Sequence, residues 1–341
     1  MKGLSIHLVL LALASGTALK VWTRDAEQDK PGAAEVEVWS GTADSVESVS
    51  LETKQRKVRI EPKKDAAGRY YVVRLEKDEP QAPPPQPPPH DGAPPAPPPP
   101  APPPKLQKMA FVGVKAADET IGKLAKFSAV RALGKVDAGR AAEFGLDKPE
   151  GTLRIKIAGK EHLLTIGGNT PGATERYAKY GTSGEVFAIS GDIMQSLQFA
   201  DSRLMERDFH AFELDEVTKI RVTKGGKSRE LVRVEGKKDA WADPATPAKA
   251  DESFGNWLTK LNRVRVTDYV ETPPSPPAPE NLSVRIDYFV GPKNAGFLEL
   301  YKVQGGPSTE YLGKSEQTRW FAKVLESAAE QADQDSATLF K

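Results

Sequence analysis

The sequence predicts an α+β fold: two similar lobes, each of antiparallel β-hairpins plus short helices, preceded by a single N-terminal transmembrane helix. Three observations predict it. Short runs alternate apolar with polar residues and are separated by Gly- and Lys-containing turns, which is the pattern of half-buried strands. The same order of hairpin, helix, hairpin, hairpin and helix is met twice along the chain. Residues Leu4 to Leu19 are almost wholly apolar, in a chain that is 28% charged overall.

The first element is residues 1–22, a transmembrane anchor or signal segment. At helical rise the run covers about 24 Å from Leu4 to Leu19 and about 28 Å with Trp22 included. Lys20 can snorkel and Trp22 can sit at the headgroup level, which lengthens the span. Ala12-Leu13-Ala14 or Gly16-Thr17-Ala18 offers only an approximate cleavage site, so the uncleaved anchor is the preferred reading. His7 inside the run is a tolerated polar residue. Lys2 lies before the run, while Lys20 and Arg24 are followed by Asp25, Glu27 and Asp29, so the charge asymmetry is weak. Export rests on the signal-like character of the segment. This places the protein in the inner membrane, single-pass, with its C-terminal bulk in the periplasm. Residues 23–43 read as a charged tether.

The first lobe is 44–212. VESVSLET, RKVRIEP and RYYVVRLE alternate as strands, the last two joined at Ala67-Gly68. ADETIGKLAKFSAV follows as a helix, with Ile121, Leu124 and Phe127 at helical spacing and Asp118 placed to cap it. GTLRIKIAG with EHLLTIGG, and then ERYAKYGTSGEVFAI, are two more hairpins before the short helix SGDIMQSLQFA. The second lobe, 213–341, repeats the plan. VTKIRVTKGGKSRELVRVEG stands for the opening hairpin, and DESFGNWLTKLNRV for the helix, with Phe254, Trp257 and Leu261 in the apolar positions. NLSVRIDYFVGPKNAGFLELYKV and STEYLGKSEQTRWFAKVLESAAE follow, and the ends DSRLMERDF and DQDSATLFK are alike.

A proline-rich stretch at 80–104 interrupts the first lobe. In the second lobe the corresponding connection is EGKKDAWADPATPAKADES, so the stretch is an insertion into a loop rather than a linker between domains. Stretched as polyproline II it would reach about 78 Å. It is either a docking strand or spacer, or a surface loop enlarged at little entropic cost. TPPSPPAPE at 272–280 is also a loop.

Composition narrows the function classes. Lys+Arg 48 against Asp+Glu 47 leaves no basic field to attract a phosphate backbone, so nucleic acid is not an expected partner. The absence of Cys removes disulfides, thiolate metal sites and cysteine nucleophiles. GGKS at 225–228 ends like a phosphate loop, but Arg221 stands where that motif needs glycine and the stretch is a hairpin turn. GKS at 313–315 fails likewise at Ser308. GTSGE at 181–185 departs from a nucleophile elbow. His7, His90, His162 and His210 lie far apart; folding could join His162 to His210, yet no carboxylate stands at a diagnostic metal spacing. Asp201, Glu206, Asp208, Glu213, Asp215 and Glu216 are interleaved with Arg203, Arg207, Lys219 and Arg221, which reads as a solvated face of ion pairs. Tyr70-Tyr71, Tyr177, Tyr180 and Trp320-Phe321 suit strand packing as well as carbohydrate stacking. No catalytic, cofactor-binding or metal-ligating residue is assigned, no cofactor is expected, and the protein is read as non-enzymatic. A buried carboxylate pair in a cleft would reopen the enzyme reading.

EFGLDKPEGTLRIKIAGKEHLLTIGGNTPGATERYAKYGTSGEVFAI, followed by SRLMERDFHAFELDEVTKIRVTKGGK, resembles the bacterial family of domain of unknown function 4340. The likeness extends over roughly residues 40 to 341, with the proline insertion as its departure. It is carried by the Phe-Gly-Leu-Asp-x-Pro turn at 144–149 and the passage from Phe209 to Val222. The resemblance implies an N-terminally anchored protein with its bulk outside the cytoplasm, encoded beside ABC-type transporter components like those of gliding-motility systems. It defines no catalytic residues. The expected partners are therefore a membrane protein such as an ABC transporter component and, through the N-terminal helix, the lipid bilayer. The expected role is a non-catalytic periplasmic accessory or scaffold protein. The alternative is binding of cell-envelope glycan or peptide through an inter-lobe groove.

Overall fold

The structure is a computed structural model that describes residues 35–79, 81, 102–172, 174–181, 183–270, 277–305 and 308–340. The expected transmembrane helix at 1–22, most of the tether and nearly all of the proline-rich stretch lie outside the described residues. Among the described residues no helix is long and apolar enough to cross a membrane.

The chain opens with β1 (Val36–Trp39), then β2 (Val46–Thr53), β3 (Arg56–Asp65), β4 (Gly68–Glu79), β5 (Lys105–Gly113) and helix α1 (Lys115–Ala125). Next come β6 (Phe127–Ala129), β7 (Arg131–Lys135), β8 (Gly151–Ile157), β9 (Lys160–Asn169), β10 (Glu175–Tyr180) and β11 (Glu185–Ser190). Helices α2 (Gly191–Gln198) and α3 (Ala200–Arg203) close the first half. The second half runs β12 (Lys219–Lys224), β13 (Lys227–Arg233), β14 (Trp241–Ala242), α4 (Glu252–Leu261) and β15 (Val266–Tyr269). It ends with β16 (Leu282–Val290), β17 (Lys293–Gly305), β18 (Ser308–Ser315), β19 (Ala322–Val324) and α5 (Glu326–Ser336).

Two large antiparallel sheets result, each with short helices, as the alternation of the sequence requires, and β1 pairs with β6 in a separate two-stranded sheet. The first has the order β5-β4-β3-β2-β8-β9-β10-β11-β7 and the second β14-β13-β12-β16-β17-β18-β19-β15. With β5 set aside, the two orders match strand for strand in chain sequence. The inner face of the first sheet is built from alternate residues, among them Val49, Leu51, Val58, Ile60, Leu153 and Ile155, all buried. Ile121 and Leu124 of α1 and Met194 and Leu197 of α2 are buried with them. The second sheet buries Ile220, Val222, Val284 and Ile286 with Phe254, Trp257 and Leu261 of α4. Charged residues take the alternate positions, where Arg59, Glu61, Arg74 and Glu76 remain wet.

Four local expectations change. Asp118 does not cap α1, which begins at Lys115 with Val114 as its N-cap; its carboxylate accepts from Tyr71 OH at 2.6 Å instead. Phe127 is not on the helix. The backbone leaves helical geometry at Lys126 (φ −110°, ψ 86°), and Phe127 starts β6 with its ring still buried. The tether does not run to residue 43, because Trp39 is 6% exposed and its indole Nε1 donates to Leu124 O at 2.8 Å. β5 was not legible as a strand, yet it pairs with β4 along nine register pairs from Tyr71↔Gly113 to Glu79↔Lys105. Glu79 and Lys105, which flank the proline-rich stretch, are thus direct neighbours at the edge of the first sheet.

Two turns show why their residues are there. Between β12 and β13, Gly225 (φ 54°) and Gly226 (φ 77°) both adopt left-handed backbone, the requirement of a two-residue hairpin turn that follows sheet twist. The Phe144-Gly145-Leu146 turn packs on Gly167-Gly168 of β9: a Cβ at Gly145, itself at φ 65°, would stand 2.7 Å from Gly168 N.

Candidate functional site

The two lobes meet along the connector that follows α3, and its centre is Glu206. Its backbone N–H donates to Val112 O of β5 at 2.8 Å. Its backbone carbonyl accepts from Tyr269 OH of β15 at 3.0 Å, and its Oε2 accepts from Gln317 Nε2 at 3.1 Å. One residue therefore ties the edge of the first sheet to two elements of the second. The carboxylate is 9% exposed, and its Oε1 also accepts from Asp208 N–H, so both oxygens are engaged. Glu206 thus departs from the expected solvated face. A buried carboxylate without such partners would carry an uncompensated desolvation cost.

Arg319 crosses the same seam from the turn after β18. Its side chain is 7% exposed and stacks over the Tyr70 ring at 5.3 Å, with Nε 3.4 Å from Asp65 Oδ2. Its backbone is left-handed at φ 57°, a strained choice for a non-glycine residue that holds the side chain across the seam. Arg207 adds a bond to Val266 O at 3.2 Å.

Beside the seam a cavity of about 360 Å³ is lined by His210, Phe212, Tyr288, Leu261, Asp208 and Glu213. His210 stacks on Phe212 and meets Tyr288 edge-on, each at 4.6 Å between ring centres. Its Nδ1 lies 3.0 Å from Glu316 Oε1, and Glu316 Oε2 accepts from Phe297 N–H at 2.8 Å. A carboxylate thereby fixes the imidazole's orientation. Burial, aided by the Glu316 charge, pushes the Tyr288 phenol well above its ordinary range, so it stays protonated.

The other sequence-marked residues are dispersed. His162 lies on β9 against Trp39 and Tyr180, with none of the neighbours of His210. Asp201 is paired with Lys77 at 2.8 Å and Arg56 at 3.7 Å. Partial burial opposes its ionisation, but the Lys77 hydrogen bond and the two cations outweigh that and hold its carboxyl below the usual range. Asp215 is exposed and pairs with Lys238 at 2.7 Å, whose hydrogen bond lowers its pKa. Arg221 and Lys219 share Glu230. Tyr71 and Phe321 are buried, Tyr177 packs edge-on to Phe144, and Trp320 meets Tyr269 edge-on, so these aromatics pack. Among the described residues no three His, Asp or Glu side chains stand close enough to hold a metal ion.

One polar constellation escaped the sequence reading. Asp333 of α5 accepts from Lys224 at 3.0 Å, Lys302 at 3.1 Å, Tyr311 OH at 3.0 Å and Ser283 Oγ. Burial opposes its ionisation, yet the bonds from Ser283, Lys224 and Lys302 prevail and bring its carboxyl down to about 2. The only signal in the sequence was that DQDSATLFK aligns with DSRLMERDF, which places Asp333 opposite Asp201.

Comparison with known proteins gives one match. No curated protein and no solved structure is similar to the chain. The family model described as domain of unknown function (DUF4340) matches residues 114–284, half of the chain, from the start of α1 into β16. That span includes the glycine-locked turn at 144–149 and the whole connector through Glu206 and His210, and by it the chain belongs to the DUF4340 family.

Proposed function

We propose that the protein is a non-catalytic accessory or scaffold subunit, anchored in the inner membrane with its bulk in the periplasm, that works by contact with a membrane machine such as an ABC-type transporter. The observation that carries this reading is the contrast between spent interior groups and open edges. Glu206, Asp201 and Asp333 are each saturated by partners within the fold. The edge strand β7, by contrast, has all five residues exposed and among the described residues pairs only with β11, which leaves one side of its backbone available there to another strand. Crosslinking in intact cells, followed by identification of captured neighbours after mild detergent extraction, tests it. Recovery of a membrane-transporter component supports the reading; a protein that repeatedly comes out alone rejects it.

A second reading has its own support. The cavity with His210, Phe212 and Tyr288 joins aromatic surface to hydrogen-bonding groups, as sites for cell-envelope glycan or peptide do. Retention on isolated peptidoglycan, with the transporter crosslink absent, favours this reading over the first.

A further inference from the structure

On the inner face of β9 the side chains His162, Leu164 and Ile166 form one row, with His162 in register with Ile155 of β8. An aliphatic residue would continue that row at no polar cost. An imidazole 6% exposed is instead placed there: Nδ1 lies 2.8 Å from Tyr180 OH, while Nε2 makes no hydrogen bond among the described residues. Nε2 is not among the buried unpaired side-chain atoms, so it reaches solvent and stands open to a ligand from the cavity side.

The space beside it is a cavity of about 450 Å³, lined by Val38, Trp39, Ser40, Ile157, Lys160 and Tyr180 together with His162. Trp39 forms part of the wall, its ring 4.7 Å from His162 and 5.6 Å from Tyr180. Among the described residues no carboxylate lines this cavity. Lys160 is exposed and makes no ion pair among the described residues. Burial first, and the Lys160 charge second, lower the His162 pKa, so the imidazole is neutral near pH 7 and the cavity carries one positive charge.

The His162–Tyr180 pair offers a proton donor whichever tautomer it adopts. If Tyr180 O–H donates to Nδ1, then Nε2–H is free; if Nδ1–H donates to the phenol oxygen, the Tyr180 O–H is free. One cation, one such donor and the Ser40 hydroxyl match a single carboxylate, where a phosphate dianion would need a second cation. Val38, Ile157 and the indole suit an apolar body. We propose that this pocket of the first lobe is a binding site for a small organic carboxylate, its charge on Lys160 and the His162–Tyr180 donor and its apolar part against Val38 and Ile157.

The test uses the full chain in mild detergent, with benzoate as probe and calorimetry plus the histidine ring resonances as readouts. Benzoate is expected to bind saturably and shift the His162 resonance, identified by its loss in His162→Phe. Benzyl alcohol, the neutral isostere, and inorganic phosphate are each expected to bind at least about 10-fold more weakly, the loss typical of one charge-assisted contact. Lys160→Ala, at an exposed position that leaves the core untouched, is expected to weaken benzoate by about the same factor. An unmoved His162 resonance, equal affinity for benzyl alcohol or phosphate, or unchanged affinity in Lys160→Ala overturns the proposal. None of these results bears on the transporter crosslink.

Discussion

In the first lobe the indole that fastens the helix comes from outside the main sheet: Trp39, on β1, donates to Leu124 O of α1. In the second lobe the indole sits on the helix itself, where Trp257 of α4 donates to Ala332 O of α5 at 2.8 Å. The terminal carboxylates differ in the same spirit. Asp201 is met by cations from β3 and β4 and is 21% exposed; Asp333 is met from β12, β16, β17 and β18 and is 11% exposed. The strand order is shared while the polar fastenings are not. Alternating apolar rows therefore carry the topology, and each lobe secures its helices with whatever donors its own strands and helices supply.

Removing the two indoles tests that comparison hardest. Trp257→Ala and Trp39→Ala should each destabilise by about 3–5 kcal/mol, through lost burial plus an orphaned carbonyl. Denaturant unfolding followed by lobe-specific hydrogen exchange reads both. A loss below about 1 kcal/mol for Trp39→Ala would mean that β1 is an appendage rather than part of the first lobe.

The carboxylates come next. Asp333→Ala should cost about 2–4 kcal/mol, because two lysines and a tyrosine lose their common partner, and Asp201→Ala less than half of that. Equal losses would erase the distinction drawn between the lobes. Acid should show the same asymmetry. The folded pKa of Asp333, about 2, is depressed below its unfolded value, so its contribution is complete above about pH 4 and disappears as pH falls from there toward 2. A loss of about 1–2 kcal/mol over that window, absent in Asp333→Asn, is the expected outcome of urea titrations at stepped pH.

Smaller effects fall on the seam and the surface. Arg319→Ala should cost about 1 kcal/mol and raise amide exchange at Glu206, while Arg319→Gly should recover part of the loss by relieving the left-handed backbone. If both variants behave alike, the strain is not what holds the side chain across the seam. Lys238→Ala breaks an exposed pair and should leave the unfolding midpoint unchanged.

Strands with strict alternation were legible in the sequence, and so were the apolar positions of α4, because each of those signals is local. β5 was not: KLQKMAFVG opens with charges and follows a proline-rich stretch, and only its C-terminal four residues are buried. Its pairing partner, not its own pattern, makes it a strand. Phe127 misled because helical spacing continues past the point where the backbone turns at Lys126. The burial of Glu206 against Gln317 and the reach of Arg319 to Asp65 carried no signal, since each depends on a contact more than a hundred residues apart in sequence. The separation of His162 from His210 follows from the same cause, as each answers to the sheet of its own lobe.

The register pair Glu79↔Lys105 sets a geometric limit on everything threaded between those residues. A chain that departs and returns at adjacent points must spend half its contour coming home, so the roughly 78 Å of a one-way polyproline II stretch corresponds to an excursion of about 39 Å. Because Glu79 and Lys105 both belong to the first sheet, whatever is threaded between them cannot set the distance between the two lobes.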